Sequence, residues 1–185
     1  MLTDEQLVQA SLQGGANAFD ELVGRYQERL LRFLLTRSSC RADAEDAVQD
    51  TFISAYRYLA SFDPRWRFST WIYRIALRNL GKQRRQEYHE SDEALAAEDD
   101  PMQNCIDHSE RENVWLVARR LLTPEAYTAM WLRYVEDMSV KEISKSLDKS
   151  LSWTKVTLLR GRRRLTAELA VERTGASQRE SYGRI

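Results

Sequence analysis

The chain has 185 residues, of which 43% are hydrophobic and 30% charged, so it is long enough for one domain or two small ones with a buried core and a very polar surface. Its 28 basic and 28 acidic residues cancel, so net charge alone does not indicate a nucleic-acid partner. No apolar run approaches the roughly 18 residues of a membrane span, and the N-terminus lacks the pattern of a signal peptide. The sequence therefore predicts a cytoplasmic protein without direct membrane insertion.

Apolar residues recur throughout the chain with the 3.6-residue period of helices, and strand-like alternation is absent. This pattern predicts an all-α fold made of two small helical domains joined by a flexible acidic linker. The predicted boundaries are residues 1–86 for the first domain, 87–111 for the linker, 112–170 for the second domain and 171–185 for a polar tail.

The charges are segregated along the chain. Residues 60–86 carry seven cations against one carboxylate, and residues 140–165 carry eight against two. Between them, residues 87–112 carry ten carboxylates and one cation, with no sustained apolar period, which is typical of a linker. The acidic charge either keeps the chain soluble, lies in a basic channel of a partner, or covers the basic surfaces of the protein itself.

The chain is expected to begin with two helices, over residues 2–12 and 17–36, the first of them capped by Thr3. Asp43 is then predicted to cap a third helix over residues 44–59. One side of this third helix is acidic around an apolar centre, and its residues are Asp43, Asp46, Gln49, Asp50, Ile53 and Arg57. We call it the acidic face. It is either a solvated surface with one isolated isoleucine or a docking surface for a basic partner helix.

Residues 61–85 combine aromatic rings with cations. Residues 61–69 are predicted to form a loop that exposes two aromatic side chains next to two arginines, in the order Arg65, Trp66, Arg67 and Phe68. The helix that follows presents Trp71, Arg74, Arg78, Lys82 and Arg85 within an arc of about 80°. Its opposite side is a core stripe of Ile72, Ile75, Ala76 and Leu80. Cations hold phosphates and rings stack on unpaired bases, so this aromatic-basic segment favours nucleic-acid binding over an ordinary amphipathic helix with a solvated face.

The second domain is predicted to hold four helices. The first covers residues 106–122, and the second follows a start signal at Thr123 and Pro124 and buries Tyr127, Met130, Trp131 and Tyr134. A capping box at Ser139 and Glu142 starts a short helix over residues 140–147. The last helix covers residues 151–169, with Val156, Leu159 and Leu165 expected to point inward.

A short helix, a tight turn and a longer basic helix together predict a helix-turn-helix unit. The start of its second helix, where base edges are read, carries Ser152, Trp153, Lys155 and Thr157. Cations suited to phosphates follow at Arg160, Arg162, Arg163 and Arg164. The alternative is a basic surface helix in an α-helical bundle.

No pattern in the sequence indicates catalysis or a cofactor. Cys40 and Cys105 are far apart and are expected to be free thiols in a reducing compartment. A zinc site built from His89, Cys105 and His108 has irregular spacing, so we predict no metal. No nucleotide-binding loop and no nucleophile beside a base are visible, so the protein is not expected to be an enzyme.

Three stretches, in the same order, resemble the extracytoplasmic function (ECF) subgroup of the bacterial sigma-70 family. The family's polymerase-binding segment is similar to residues 43–59, DAEDAVQDTFISAYRYL. Its −10 element segment is similar to residues 68–76, FSTWIYRIA, and its −35 domain to residues 122–144, LTPEAYTAMWLRYVEDMSVKEIS, followed by RGRRRL at 160–165. The chain departs from the family pattern at Arg78, where Asn is usual, at Lys82, where Asp is frequent, and at Trp153-Thr154 in place of Thr-Val.

The resemblance implies a dissociable RNA polymerase subunit that directs promoter-specific transcription initiation. The core polymerase would be bound at the clamp of its largest subunit by Asp43, Asp46, Gln49, Asp50 and Ile53, and at its flap by the second domain. The aromatic-basic segment would bind and help to melt the −10 element, and the helix-turn-helix would read the −35 element. An anti-sigma factor would hold the protein idle.

Two other functions fit parts of the pattern. A stand-alone helix-turn-helix regulator would bind an operator without polymerase, but a protein that binds only duplex DNA has no need of the aromatic residues Trp66 and Trp71. A helical adaptor whose basic surfaces bind acidic proteins would show no promoter selectivity.

Overall fold

The computed structural model describes residues 1–15, 17–38, 40–90 and 110–182, with the side chains of 81–90, 110–113 and 171–182 left undescribed. The described part of the chain is helical and contains no strand, as the periodicity predicted. Two compact units are present: Met1–Cys105 with Lys145–Asp148, and Ile106–Ser144 with Lys149–Ile185. The predicted linker lies mostly outside the described residues.

Among its described residues, the first unit contains four α-helices and a short 3₁₀ turn at Leu59–Ser61. They are α1 (Asp4–Leu12), α2 (Ala18–Leu35), α3 (Arg41–Arg57) and α4 (Phe68–Glu90). Helix α3 packs between α2 and α4, while α1 packs on α2. Apolar stripes at helical spacing form the core, which contains Leu22, Leu30, Phe33, Ala55 and Ile72. Helix α4 continues through residues 87–90, which the sequence had placed in the linker.

A capping box stabilises the N-terminus of both α1 and α3. At α1, Thr3 accepts the backbone N–H of Gln6, whose side chain accepts the N–H of Thr3, as a capping box requires. The prediction that Asp43 caps α3 is wrong, because the helix begins at Arg41 and its cap is Cys40. Asp43 is the third helical residue, and its carboxylate accepts the Cys40 N–H at 3.2 Å. The capping side chain is a thiol, which the usual preference for hydroxyls and carboxylates does not suggest.

Polar contacts join α1 to α2. Arg25 donates to Asp4 at 2.6 Å and to Glu21 at 2.5 Å, and the Tyr26 hydroxyl donates to the same Asp4 carboxylate. Burial and this hydrogen bond raise the pKa of the Tyr26 phenol. The ring of Tyr26 packs edge-on against Phe68 at 5.2 Å between centroids, so the α1–α2 pair also buttresses the start of α4.

Helix α1 also supplies the N-terminal cap of α4. The backbone N–H of Phe68, the first residue of α4, donates to the Glu5 carboxylate at 3.2 Å. A negative charge at this position satisfies an otherwise unpaired N–H and complements the helix dipole.

We expect Glu5→Ala to lower the free energy of unfolding by about 1 kcal/mol, because it removes both the acceptor and its charge from the start of α4. Urea unfolding followed by circular dichroism measures this effect. Glu28→Ala, at an exposed glutamate of α2, is the control and should leave the midpoint unchanged. Equal midpoints for both variants would contradict a capping role for Glu5.

The second unit contains α5 (Glu110–Leu121), α6 (Pro124–Tyr134), the first five residues of α7 (Val140–Leu147) and α8 (Leu151–Tyr182). The predicted caps are confirmed, since Thr123 accepts the Ala126 N–H, and Ser139 and Glu142 form a capping box. Helix α8 packs on α5 and α6 and continues to Tyr182, beyond the predicted end at residue 169.

An aromatic cluster lies between α5 and α6. Trp115 packs against Tyr127 and Trp131, with ring centroids 5.6 and 5.0 Å away. Tyr134 was expected to be buried with them, but its side chain is 54% exposed. It is the last residue of α6 and lies one turn beyond the cluster, so the helix ends before anything covers its ring.

Candidate polymerase and nucleic-acid interfaces

The acidic face lies on the exposed side of α3. Asp46, Gln49 and Asp50 are exposed, and Ile53 is 56% exposed. Asp43 differs from these residues, because it is partly buried and engaged in the Cys40 capping box. The opposite side of the helix packs inward through Val48, Phe52 and Ala55. The face therefore presents negative charge around an isoleucine on a rigid, well-packed helix.

Tyr56 belongs to the same face, although the sequence analysis did not predict it. It is 65% exposed, follows Ile53 by three residues, and packs its ring at 5.0 Å from that of Phe19 on α2. Residues three apart on a helix are neighbours, so Ile53 and Tyr56 form one apolar patch. The three-residue spacing from Ile53 could have identified Tyr56 from the sequence, but the prediction of the acidic face considered mainly the acidic residues.

Phe68 is buried, with none of its side chain exposed, so the prediction that it is an exposed loop aromatic is wrong. It is the first residue of α4 and lies among three other rings, 5.2 Å from Tyr26, 6.0 Å from Phe62 and 5.7 Å from Trp71. The free energy gained by burying the phenyl ring outweighs any preference for the surface that its charged sequence neighbours suggest. Phe68 can therefore act on a ligand only by supporting Trp71.

Trp71 lies half-buried on α4, and two rings hold it from behind. Its centroid is 5.7 Å from those of Phe62 and Phe68. Trp66, in the preceding loop, is also half-buried, and Arg67 is exposed. Ring contacts fix this indole, and part of it stays accessible. It can therefore stack on an unpaired base without losing further side-chain freedom.

Two arginines of α4 lie on the same side as Trp71. Arg78 is exposed and Arg74 half-buried, while Lys82 and Arg85 are on the continuing helix with side chains outside the described part. Ile75, expected in the core, is only half-buried, because at 100° per residue it falls next to Trp71.

The family that the sequence resembles usually has an asparagine at the position of Arg78, and the neighbouring Asn79 does not substitute for it. Its side chain is buried, and its amide donates to the Ser54 hydroxyl of α3 at 3.2 Å. It therefore joins two helices, and Arg78 is the residue exposed at this point of the helix.

Arg65 is held by Asp63 within the loop. Its guanidinium donates to the Asp63 carboxylate at 2.7 Å, and its backbone N–H donates at 3.0 Å. These bonds hold the pKa of Asp63 at about 2 and raise the pKa of Arg65. The carboxylate is therefore ionised throughout the neutral range and competes with any phosphate for the arginine.

We expect Asp63→Asn to tighten binding of single-stranded DNA about threefold, because an exposed ion pair of this kind is weak and its loss releases Arg65 for phosphate. The salt dependence should steepen by about 0.7 in log–log slope, the value for one added phosphate contact. Fluorescence anisotropy at several salt concentrations measures both quantities, with Glu28→Gln as the charge-matched control. Weaker binding by Asp63→Asn would instead assign Asp63 the task of orienting Arg65 for its ligand.

Helix α8 has a different register from the one predicted. Val156 and Leu159 were expected to point inward, but they are 44% and 42% exposed, whereas Leu165 is buried as predicted. The inward stripe consists of Thr154, Leu158, Gly161 and Leu165. The helices approach closely at Gly161, because a Cβ added there would lie 3.1 Å from the sulfur of Met130 on α6.

The predicted DNA-contacting residues of α8 divide into two groups. Trp153 and Thr157 are half-buried on one flank, and Lys149 lies 5.4 Å from the Trp153 ring centroid while pairing with Glu125 at 2.8 Å. The other group is exposed and consists of Ser152, Lys155, Arg160, Arg162, Arg163 and Arg164. Arg164 also donates to the Leu121 carbonyl at 3.4 Å, so part of its bonding capacity is used within the unit.

No group of three or more potential metal ligands occurs among the described residues. His108 and Cys105 of the candidate zinc site, and the side chain of His89, lie outside them. Cys40, the other cysteine, is an exposed free thiol. In the described part of the chain no helix combines the length and the hydropathy needed to span a membrane.

Family models match both units. The model of sigma-70 region 2 matches residues 22–89, which include the acidic face and the aromatic-basic segment. The model of sigma-70 region 4 matches residues 119–165, which include α6, α7 and the first half of α8.

Several characterised proteins are similar over most of their length. The ECF RNA polymerase sigma-E factor of Haemophilus influenzae is 34% identical over 175 residues, covering 87% of this chain and 92% of that protein. The protein of the same name from Escherichia coli is 32% identical, with coverages of 87% and 91%. The RNA polymerase sigma-H factor of Pseudomonas aeruginosa is 28% identical, with coverages of 86% and 90%.

Solved structures share the fold. The sigma factor RpoE of Bartonella quintana, solved in complex with the anti-sigma factor NepR, has a TM-score of 0.68 and 21% identity, covering 84% of this chain and 99% of that one. CnrH, in complex with the cytosolic domain of CnrY, has a TM-score of 0.64 and 23% identity, with coverages of 91% and 97%.

Proposed function

Because the chain belongs to the ECF group of the sigma-70 family, we propose that it binds core RNA polymerase and directs it to promoters carrying a −35 and a −10 element. One observation carries the proposal: a single chain joins an exposed acidic face on α3, a ring-supported tryptophan among cations on α4, and an exposed row of cations on α8. Polymerase docking, strand capture and duplex binding each need one of these surfaces.

Residues 1–86 form the polymerase-binding and −10-binding domain in this proposal, and residues 112–170 form the −35-binding domain. Residues 87–111 are the acidic linker that threads toward the basic active-site channel of the polymerase, and 171–185 are a tail. The family-model matches fall inside or close to these boundaries, which supports the division.

The polymerase is bound by the acidic face of α3, which docks on a basic helical pair of the clamp. Asp46, Gln49 and Asp50 supply charge and hydrogen bonds, while Ile53 and Tyr56 supply the apolar centre. Complementary charge of this kind steers association and fixes register, and buried apolar anchors supply affinity. The second domain binds the polymerase flap.

The −10 element is bound by the aromatic-basic segment. Trp71, supported by Phe62 and Phe68, stacks on an unpaired base, and Trp66 extends the aromatic surface. Arg65, Arg67, Arg74, Arg78, Lys82 and Arg85 hold the phosphates. Unpairing a base costs a few kcal/mol, which stacking and phosphate contacts offset once the base is extruded.

The −35 element is bound in the major groove by the start of α8. Ser152 and Lys155 face the base edges, with Trp153 and Thr157 at their flank, and Arg160, Arg162, Arg163 and Arg164 hold the backbone on either side.

The protein is a cytoplasmic initiation factor without catalytic residues of its own, and an anti-sigma factor holds it inactive. In this proposal the polymerase supplies the chemistry, and the chain supplies the surfaces that bind polymerase and DNA. Support for the anti-sigma partner comes from the fold: two structures of this fold were solved with an anti-sigma factor or the cytosolic domain of a partner bound.

Footprinting on genomic fragments tests the proposal, using the chain alone, core polymerase alone and the two together. We expect protection at paired upstream elements only when both are present. Protection of operator-like sites by the chain alone would make it a stand-alone regulator, and no selective protection in any mixture would favour an adaptor of acidic proteins.

Arg162→Ala is expected to weaken binding of −35 duplexes about equally for all sequences, because an exposed arginine beyond the base-reading turn contacts phosphate. The log–log salt slope should fall by about 0.9, the value for one lost phosphate contact. Anisotropy titrations of the holoenzyme on several duplexes measure both quantities. A loss confined to one base pair would show that Arg162 reads sequence.

A further inference from the structure

Helix α8 exposes two aliphatic side chains in the middle of its basic surface. Val156 and Leu159 are 44% and 42% exposed, and they lie three residues apart on the same side of the helix. With Ser152 before them and Arg163 after them, they form a stripe at the spacing i, i+4, i+7 and i+11. We call this the apolar strip of α8.

The apolar strip has a fixed direction. It lies opposite the inward stripe of Thr154, Leu158, Gly161 and Leu165, whose contacts with the rest of the unit hold the helix about its own axis. Leu158 and Leu165 are buried, and Gly161 lies against Met130 on α6. This packing fixes the rotation of the helix about its axis, so Val156 and Leu159 remain on the surface.

Cations surround the strip on both sides. At 100° per residue, Lys155 and Arg162 lie along one edge, and Arg160 lies along the other, all of them exposed. A partner that covers the strip must therefore be polyanionic and also offer small apolar groups at its centre. Duplex DNA meets both requirements in the major groove, where thymine carries the C5-methyl group as the apolar feature of its edge.

We propose that Val156 and Leu159 read thymine methyl groups in the −35 element, so that the apolar strip determines specificity. The inference rests on the proposed function and adds to it a chemical class of base contact. Each side chain covers one methyl group and removes both from water, and the flanking cations fix the strip in the groove through phosphates.

Deoxyuridine substitution tests this inference, because uracil lacks only the methyl group of thymine and pairs identically. Duplex selection with core polymerase and the full chain first defines the −35 element. Each thymine is then replaced singly by deoxyuridine. We expect one or two positions at which binding weakens about fourfold, the loss for one buried methyl group. At those positions, Val156→Ala or Leu159→Ala should bring the thymine-to-uracil ratio close to one.

Val135→Ala is the matched control. Val135 is a 40% exposed valine at the end of α6, outside the base-reading helix, and its loss should leave the thymine-to-uracil ratio unchanged. Equal binding of thymine and uracil duplexes at every position, an unchanged ratio in both strip variants, or a selected element without thymine would overturn the inference. A selection that returns no preferred duplex would instead refute −35 recognition itself, and with it the proposed function.

Discussion

Replacing Asp50 by arginine is expected to weaken binding to core RNA polymerase at least about 100-fold, because the new cation faces a basic surface and the original carboxylate is lost. Asp50 is exposed at the centre of the acidic face, between Asp46 and Ile53 on successive turns of α3. The inward side of α3 is untouched by the change, so the helical content and the urea midpoint should stay close to those of the parent. Co-purification and a competition titration against the parent chain measure the loss.

Glu28→Arg is the control for this reversal. Glu28 is an exposed glutamate of α2, on a different helix from the acidic face, and undergoes the same change of two charge units. It should leave polymerase binding within about twofold, since an exposed charge outside the docking surface acts on the partner only through a field that salt screens. Co-purification of Asp50→Arg at the parental level, with the fold intact, would remove α3 from the polymerase interface.

Trp71→Ala is expected to lower the affinity for the single-stranded −10 element by about 10- to 100-fold, the range for one lost base-stacking contact. Transcription from linear templates should fall in parallel, because extruding the base no longer gains the stack that offsets unpairing. Polymerase binding and −35 duplex binding use other surfaces and should not change. Anisotropy with single strands and run-off transcription give the two readouts.

Trp71→Phe separates stacking from support of the fold. The phenyl ring keeps an aromatic surface against Phe62 and Phe68, so it should recover most of the single-strand affinity. If Trp71→Ala binds single strands as the parent does, Trp71 is a packing residue only, and the aromatic-basic segment acts through its cations alone.

Much of the fold could be predicted because helix caps and periodicity are local. Thr3, Thr123 and the pair of Ser139 and Glu142 cap their helices as predicted, and these interactions involve residues only three apart. Cys40 was missed as a cap because thiols are weak acceptors and seldom take this position.

The register of faces was predicted less well, because it depends on partners distant in sequence. Phe68 is flanked by arginine and serine, yet it is buried by Tyr26 and Phe62 from other elements. In α8, the inward side includes Thr154 and Gly161 where Val156 and Leu159 were expected, and at Gly161 the closeness of α6 leaves no room for a larger side chain. Hydrophobicity along the chain carries no information about such distances.

Run-off transcription tests the central claim most directly. Purified core RNA polymerase from the source bacterium would transcribe fragmented genomic DNA of the same source, with and without the full chain. The account predicts discrete transcripts that appear only with the chain and share two upstream elements, and that disappear with Asp50→Arg. An unchanged transcript pattern on adding the chain, although it binds the polymerase, would contradict its role in initiation.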